Sequence, residues 1–320
     1  MDYQPIETPF TRAFGLTAPI VCAPMALVAG GRLAAAVSRA GGLGLIGGGY
    51  GDGEWIEDQW LEAGNAAVGC GFITWRLQGR EGLLEQALTH KPKGIFLSFG
   101  DLAPYAGRIK AAGVPLLAQV QTLAGAREAL DQGADVIVAQ GAEAGGHGSG
   151  RATFTLVPEV VDMVAGRVPV LAAGGIMDGR GLAAALALGA DGVNLGSRFW
   201  ASEEALVAKA QHGAALAADG DDTARTSLSD QARGFDWPGG WNMRALRNAW
   251  VRSWEGAAEG PVSDAARAEY AQGVAEGNAD VAPAVVGEAV GLLHDILPAE
   301  EIIARMMREA RDVLARGAAL

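Results

Sequence analysis

Short apolar runs alternate with longer, alanine-rich amphipathic stretches over about the first two thirds of the chain. Continuous apolar runs of this length are typical of strands buried on both faces, and the periodic stretches are typical of helices that end at a glycine. The pattern predicts strands near residues 20–23, 43–46, 67–73, 94–98, 115–120, 136–139, 169–173 and 192–195.

Two segments repeat the same order of elements most clearly, "LDQGADVIVAQG" (130–141) and "LALGADGVNLGS" (186–197). Each gives a helix end, a glycine, a buried strand and a glycine-bearing loop. Strands separated by helices must run parallel. The chain is therefore predicted to be an α/β protein with a closed (β/α)8 TIM barrel, and a doubly wound open sheet is the alternative. In a barrel, the loops after the strands form the face that carries active sites.

The alternation stops after about residue 220. The segment "RGFDWPGGWNMRALRNAWVRSWEG" (233–256) carries four of the eight tryptophans and lacks a strand pattern, and the later "PAEEIIARMMREARDVLARG" (298–317) has apolar residues at helical spacing. These features predict a barrel over residues 1–220 and a helical lobe over 221–320. We expect the lobe to pack on the barrel and to help cover its active site.

Charge and cysteine content narrow the possible partners. The chain has 37 acidic and 25 basic residues, a net charge of -12, which repels nucleic acid and anionic membrane surfaces. The start of the sequence has no export-signal pattern and no apolar run is long enough to span a membrane, so a cytoplasmic location is expected. Cys22 and Cys70 lie in apolar runs and are predicted to be small buried side chains rather than a disulfide or a metal pair.

Two glycine loops follow the seventh and eighth predicted strands. The segment 168–199 places Gly174 and Gly175 after one strand, and Gly196 and Ser197 after the next. Barrels often bind phosphate at these positions through backbone N–H groups, and glycine lets the backbone approach the oxygens closely. One glycine pair alone can simply turn the chain, but two such loops at adjacent barrel positions favour a phosphate site.

A glycine-rich loop with a histidine, "QGAEAGGHGSG" (140–150), follows the sixth strand. Imidazole titrates near neutral pH, so His147 is a candidate for proton transfer, and Gln140 can offer its amide to the edge of a heterocycle. Near His147 the sequence has no second histidine, cysteine or paired carboxylate at ligand spacing, so no metal is predicted. Upstream, "APMALVAGG" (23–31) could support a flat apolar ring, although a rigid turn before a core methionine fits the spacing equally well.

Taken together, four segments resemble the nitronate monooxygenases, formerly called 2-nitropropane dioxygenases, which are FMN-dependent (β/α)8 barrel enzymes. The segments are "APMALVAGGRLAAAVSRAGGLGLIGGG", "QGAEAGGHGSG", "AAGGIMDGRGLAAALALGADGVNLGSRF" and "GLLHDILPAEEIIARMMREA". The resemblance covers nearly the whole chain. The same blocks also resemble the flavin-dependent enoyl-acyl-carrier-protein reductases, which share the fold, FMN and the histidine.

The resemblance implies a specific set of site residues. Those implied to line the flavin are Ala23, Pro24, Met25, Gln140 and Gly145, and those implied to hold its phosphate are Gly174, Gly175, Gly196 and Ser197. His147 matches the family histidine that acts as base or substrate anchor. Gly71 stands where many members have an asparagine, Ser197 replaces a usual threonine, and the Trp-rich segment 236–254 has no close match.

The expected reaction is oxidation of an alkyl nitronate, or of a nitroalkane after proton removal, by FMN and oxygen to a carbonyl compound and nitrite. The alternative is reduction of an enoyl thioester or quinone with FMN and NAD(P)H. A barrel that binds a phosphorylated ligand without flavin is a further alternative. A small-molecule substrate and oxygen are the expected partners, and a homo-oligomer is left open.

Overall fold

The structure is a computed structural model that describes residues 2–254 and 261–319. Its strands, in chain order, are β1 Ile20–Cys22, β2 Leu45–Gly47, β3 Gly69–Ile73, β4 Ile95–Ser98, β5 Leu116–Val120, β6 Val136–Gln140, β7 Gly146–Gly148, β8 Val170–Ala173, β9 Gly192–Leu195, β10 Thr223–Thr226 and β11 Asn242–Leu246. Eight of these strands, all except β7, β10 and β11, form one parallel sheet. The eight strands of this sheet coincide with the eight predicted strands.

The parallel sheet closes into a barrel. Its strand order is β1-β9-β8-β6-β5-β4-β3-β2, and the two ends meet through Leu43, just before β2. Leu43 accepts a hydrogen bond from Cys22 N at 2.9 Å and donates one to Ile20 O at 2.9 Å. The predicted (β/α)8 barrel is confirmed, and the open-sheet alternative is wrong because no strand edge is left between β1 and β2.

Helices surround this barrel and continue into the C-terminal part of the chain. They are α1 Pro9–Phe14, α2 Gly31–Arg39, α3 Gly53–Ala63, α4 Thr74–Leu77, α5 Gly82–Thr89, α6 Ala103–Ala111, α7 Leu123–Asp131, α8 Thr153–Val164, α9 Gly179–Ala187, α10 Ser197–Trp200, α11 Lys209–Leu216, α12 Leu228–Arg233, α13 Ala249–Ser253, α14 Asp264–Glu276 and α15 Ala299–Ala318, with 3-10 turns at Gly220–Asp222 and Glu288–Leu292. None of the described helices has the length and apolar character that crossing a membrane requires.

The core has two layers, as expected for a barrel. Phe96, Leu117 and Leu171 belong to the cluster inside the strands, and a larger cluster lies between the strands and the helices. Cys22 and Cys70 belong to the outer cluster and are buried and unpaired, as predicted. Burial raises the pKa of the Cys70 thiol to about 12, so it stays protonated at neutral pH.

The C-terminal third differs from the prediction in its strands. It contains strands β10 and β11, which pair antiparallel, and β11 also pairs with β7, so the expectation of a strand-free segment is wrong. The last helix, α15, buries Ile302, Ile303 and Met307 and packs mainly against α9 and α2. It therefore lies in the outer helical layer of the barrel, and its apolar face at helical spacing did not by itself reveal that α9 and α2 are the helices it covers.

Candidate active site

A cavity of about 290 Å³ opens where the loops after the barrel strands meet the C-terminal part of the chain. Every residue predicted for the site lines it: Ala23, Pro24, Met25, Gln140, Gly145, His147, Gly174, Gly175, Gly196 and Ser197. The structure thus brings together residues that are up to 174 positions apart in sequence. Their individual roles stay predictions.

The loop that carries His147 takes its shape from the second sheet. His147 lies in β7, where it pairs with Met243 of β11. Arg225 Nη2 and Arg244 Nε both donate hydrogen bonds to Ala142 O, at 2.9 and 3.2 Å. Backbone pairing and two guanidinium groups therefore hold a segment whose glycines contribute no side-chain packing of their own.

The start of the same loop is fixed against the barrel and against the C-terminal part of the chain. The Glu143 carboxylate accepts hydrogen bonds from Thr153 N and Oγ1, both at 2.9 Å. Gly145 packs so closely on Gly287 that a Cβ at residue 145 would lie 2.7 Å from Gly287 N. Gly287 N in turn donates to Ser197 Oγ at 2.9 Å, so three segments form one wall of the cavity.

The imidazole of His147 is enclosed on two sides. Its Nε2 lies 2.8 Å from Asp230 Oδ2, and the two side chains are only 8% and 3% exposed. The indole of Trp237 stacks on the ring, with centroids 3.4 Å apart and planes 10° from parallel. Burial lowers the pKa of His147 below its ordinary value, and the hydrogen bond and charge of Asp230 oppose that shift. His147 is therefore neutral at pH 7.

Side-chain amides line the cavity beside His147. Gln140 Nε2 donates to His147 O at 3.0 Å, and Gln140 Oε1 accepts from Gln119 and Gln121 at 3.2 and 2.9 Å. Asn194 is 4% exposed, and its Oδ1 has no hydrogen-bond partner in the described part of the chain. A buried acceptor on the cavity wall without a partner is a position where a bound ligand can donate a hydrogen bond.

The glycines after β8 and β9 are needed for different reasons. Gly174 and Gly175 have φ values of +101° and +71°, which residues with side chains rarely adopt. Gly196 has an ordinary φ of -93°, and a Cβ there would meet nothing closer than Ala23 Cβ and Met25 Sδ at 4.0 Å. Its missing side chain therefore leaves open space within the cavity.

The close contact with Pro24 explains why the third strand has a glycine, Gly71, where the family pattern has an asparagine. A Cβ at this position would lie 2.3 Å from two side-chain atoms of Pro24, so no larger residue fits while Pro24 keeps its place. Gly71 does not line the cavity, whereas its neighbours Phe72 and Ile73 do. The cavity wall is apolar at this strand, where many members of the resembled family have an asparagine.

Aromatic side chains of the Trp-rich segment reach the barrel loops at the cavity mouth. Phe235 stacks on Tyr50 with centroids 4.5 Å apart, and Trp237 Nε1 donates to Tyr50 Oη at 2.9 Å. The Arg76 guanidinium lies 5.0 Å from the Phe235 ring centroid. Trp237 and Met243 line the cavity, so the segment without a family match contributes to its wall.

Sequence reasoning missed Asp230, Trp237, Gln119 and Asn194. A signal existed for the last two, because each is a polar residue inside a predicted buried strand of a barrel. Asp230 and Trp237 lie 83 and 90 positions from His147, and no motif connects them. Only the docking of the C-terminal part on the barrel brings them to the imidazole.

Comparison with known proteins identifies close similarities over nearly the whole chain. The nitronate monooxygenase family model matches residues 7–66 and 79–309. A nitronate monooxygenase of Metarhizium robertsii is 36% identical, over 92% of this chain and 91% of its own length. Among solved structures, FabK from Thermotoga maritima has a TM-score of 0.85 at 30% identity, covering 98% and 99% of the two chains. A nitroalkane oxidase from Streptomyces ansochromogenes has a TM-score of 0.78 at 26% identity, covering 96% and 100%.

Proposed function

Because this chain belongs to the nitronate monooxygenase family, we propose that it is an FMN-dependent enzyme that oxidises alkyl nitronates with molecular oxygen to a carbonyl compound and nitrite. Family membership makes it an oxidoreductase and supports nitronates or nitroalkanes as its substrate class. The observation that carries the finer proposal is a buried, neutral His147 on the wall of a cavity lined by the glycine loops after β8 and β9.

The residues of the cavity fit FMN. Gly174, Gly175 and Gly196 line the cavity, and Gly196 leaves open space beside its backbone. The Ser197 hydroxyl, which accepts from Gly287 N, still has its own hydrogen to donate. The residues proposed to line the ring system are Ala23, Pro24, Met25, Gln140 and Gly145. The unpartnered Oδ1 of Asn194 is an acceptor available to the ligand. When bound, FMN supplies the electron-accepting chemistry of the reaction.

His147 supplies the proton chemistry. With a neutral nitroalkane, the imidazole takes the α-proton: the C–H bond breaks, an N–H bond forms, and the electron pair moves onto the nitro group to give the nitronate. With a preformed nitronate this step is not needed, and the imidazole only orients the anion. Trp237 stacks on the ring and keeps water from one of its faces.

Anaerobic mixing tests the proposal. The purified enzyme is mixed without oxygen with an alkyl nitronate, or separately with NADH or NADPH, while the flavin absorbance is followed. Rapid bleaching by the nitronate alone is expected, followed by nitrite release when oxygen is admitted. Release of the cofactor by denaturation, followed by chromatography, tests FMN against FAD. A colourless protein that does not take up FMN would contradict the proposal.

The second candidate is FMN- and NAD(P)H-dependent reduction of an enoyl thioester or quinone, and the similarity to FabK at a TM-score of 0.85 supports it. The same experiment separates the two activities. Rapid bleaching by NADH or NADPH together with slow bleaching by nitronates would favour the reductase.

A further inference from the structure

Asp230 makes a hydrogen bond to His147 from a different part of the chain. It lies on α12, which directly follows β10, and its Oδ2 is 2.8 Å from His147 Nε2. Its other oxygen, Oδ1, accepts from Arg233 Nη2 at 2.8 Å. Arg233 Nε donates to Ser229 O at 3.1 Å, which anchors the guanidinium on the same helix. Each carboxylate oxygen thus has its own hydrogen-bond partner, which orients the carboxylate plane.

The imidazole ring is held just as firmly. Trp237 stacks on one face, and the backbone of His147 is fixed by β11 and by Gln140. Both the ring and the backbone of His147 are therefore supported by contacts other than the one with Asp230. Such a pair, buried and fixed on both sides, is typical of a residue that orients a proton-transfer group.

The contact determines which ring nitrogen carries the hydrogen. A carboxylate is only an acceptor, so in a neutral imidazole Nε2 must be the N–H donor and Nδ1 the free base. Among the described residues the only side-chain hydrogen bond of the ring is the one at Nε2, and His147 lines the cavity, so Nδ1 is the nitrogen left for a substrate. The charged groups that act on the ring are Asp230 and Arg233 on α12 and Arg225 on β10.

We infer that Asp230 is a positioning residue that holds His147 as the Nε2–H tautomer, so that Nδ1 takes the α-proton of a neutral nitroalkane. The N–H bond then forms at Nδ1, the C–H pair stays on the nitronate, and the Asp230 carboxylate stabilises the resulting imidazolium. The role in nitroalkane deprotonation depends on the proposed function, but the tautomer does not.

Nitrogen NMR of the histidine rings tests the tautomer without any turnover. The protein as purified is labelled with 15N, and the ring signals of His147 are assigned by their loss in His147→Gln. At pH 7 the wild type is expected to show a neutral ring with hydrogen on Nε2, and Asp230→Asn is expected to shift the ring toward the Nδ1–H form, because an amide can donate to Nε2. A wild-type ring that is charged or carries its hydrogen on Nδ1 overturns the inference.

Steady-state kinetics test the consequence for catalysis. Asp230→Asn is expected to lower kcat/KM for a neutral nitroalkane by about 10²-fold, and to change kcat/KM for the preformed nitronate only a few-fold. Asp236→Asn, the same change at an exposed position of the neighbouring segment, is expected to affect neither. Equal losses on both substrates, or loss of bound flavin in Asp230→Asn, mean a structural role and overturn the inference.

The pH profile gives a second readout. The charge of Asp230 raises the pKa of His147, so its removal lowers that pKa further, and the acid limb of the residual nitroalkane activity should move to lower pH. A shift to higher pH contradicts the inference. If the wild type oxidises neither substrate, the proposed function fails, and the NMR result still decides the role of Asp230.

Discussion

His147 differs from the other histidines in the surroundings of its ring. His90 also contacts a carboxylate, Glu57, but its side chain is 26% exposed, against 8% for His147. Solvent reaches the contact between His90 and Glu57 and screens it. At His147 the enclosure lowers the pKa, so the neutral base persists to lower pH than for an ordinary histidine, whose pKa is about 6.5.

Replacing His147 by asparagine should separate two substrates. His147→Asn removes the base, so turnover of a neutral nitroalkane is expected to fall by about 10² to 10⁴-fold, while oxidation of the preformed nitronate falls much less. The measurement is nitrite release with each substrate. In the wild type, the acid limb of the pH profile for nitroalkane oxidation should lie below pH ~6.5. His294→Asn, at an exposed position, serves as control; equal losses on both substrates in His147→Asn would argue against a base.

Gly196 allows the proposed cofactor site to be altered without a folding defect. An alanine at this position meets no atom closer than 4.0 Å and has an ordinary φ, so the stability of the apoprotein should change by less than about 0.5 kcal/mol. The methyl group keeps the backbone from a phosphate, and FMN affinity is expected to fall about tenfold, or ~1.4 kcal/mol. Flavin fluorescence titration measures this. Gly82→Ala, also in open space but away from the cavity, should bind FMN normally.

Among the structural elements, the barrel strands were predictable and the second sheet was not. The barrel strands are continuous apolar runs between helices, so their positions depend on local pattern alone. Strand β7 reads Gly-His-Gly and β10 reads Thr-Ala-Arg-Thr, neither of which has an apolar pattern. Their pairing depends on β11, which begins 94 residues after β7 ends and is adjacent only in the folded chain. Contacts of this kind leave no periodic signal in the sequence.

The His147 loop and the segment after Pro283 pack closely at Gly287, and adding a methyl group there by Gly287→Ala tests the importance of this contact. A Cβ at Gly287 would lie 2.4 Å from Glu143 O, a backbone atom, so Gly287→Ala must displace one of the two segments. We expect a destabilisation of about 1–3 kcal/mol, and weaker FMN binding because Gly287 N no longer reaches Ser197. Denaturant unfolding and flavin titration measure the two effects. Gly291→Ala is the control, because the nearest atom to its new Cβ would be at an ordinary 3.4 Å. If the two variants had the same stability and the same FMN affinity, the close packing at Gly287 would not matter.

For the whole molecule, barrel closure explains why the predicted cavity residues assemble. Parallel strands place the loops that follow them on one face of the barrel. Once the eight strands are recognised, the two glycine loops, the His147 loop and the loop after β1 can therefore be predicted to lie together. The partners of His147 could not be predicted from the sequence, because Asp230 and Trp237 come from a part of the chain whose docking depends on tertiary packing. For α15, the helical spacing was evident and packing on the barrel was expected, but the helices that it contacts, α9 and α2, were not predicted.

The place of α15 leads to a prediction about the chain's end. Four large side chains, Ile302, Ile303, Met306 and Met307, are almost fully buried between α15 and the barrel, and their burial contributes at most about 6–12 kcal/mol. That is comparable with the whole stability of a typical domain, about 5–15 kcal/mol. Deleting residues 299–320 is therefore expected to abolish cooperative thermal unfolding and flavin binding. Deleting 315–320, whose described residues are exposed, should change neither.

The two deletions distinguish a barrel helix from part of an independent lobe. If α15 only supported a lobe beside the barrel, the protein lacking residues 299–320 would keep a folded barrel, with native far-ultraviolet circular dichroism and bound flavin. We expect the opposite, because α9 and α2 would each lose the surface they pack against. The N-terminal segment would lose contacts as well, since Arg308 and Arg311 of α15 donate hydrogen bonds to the backbone of Asp2, Gln4 and Pro5. Residues 2–5 and α15 thus support each other on the outside of the barrel.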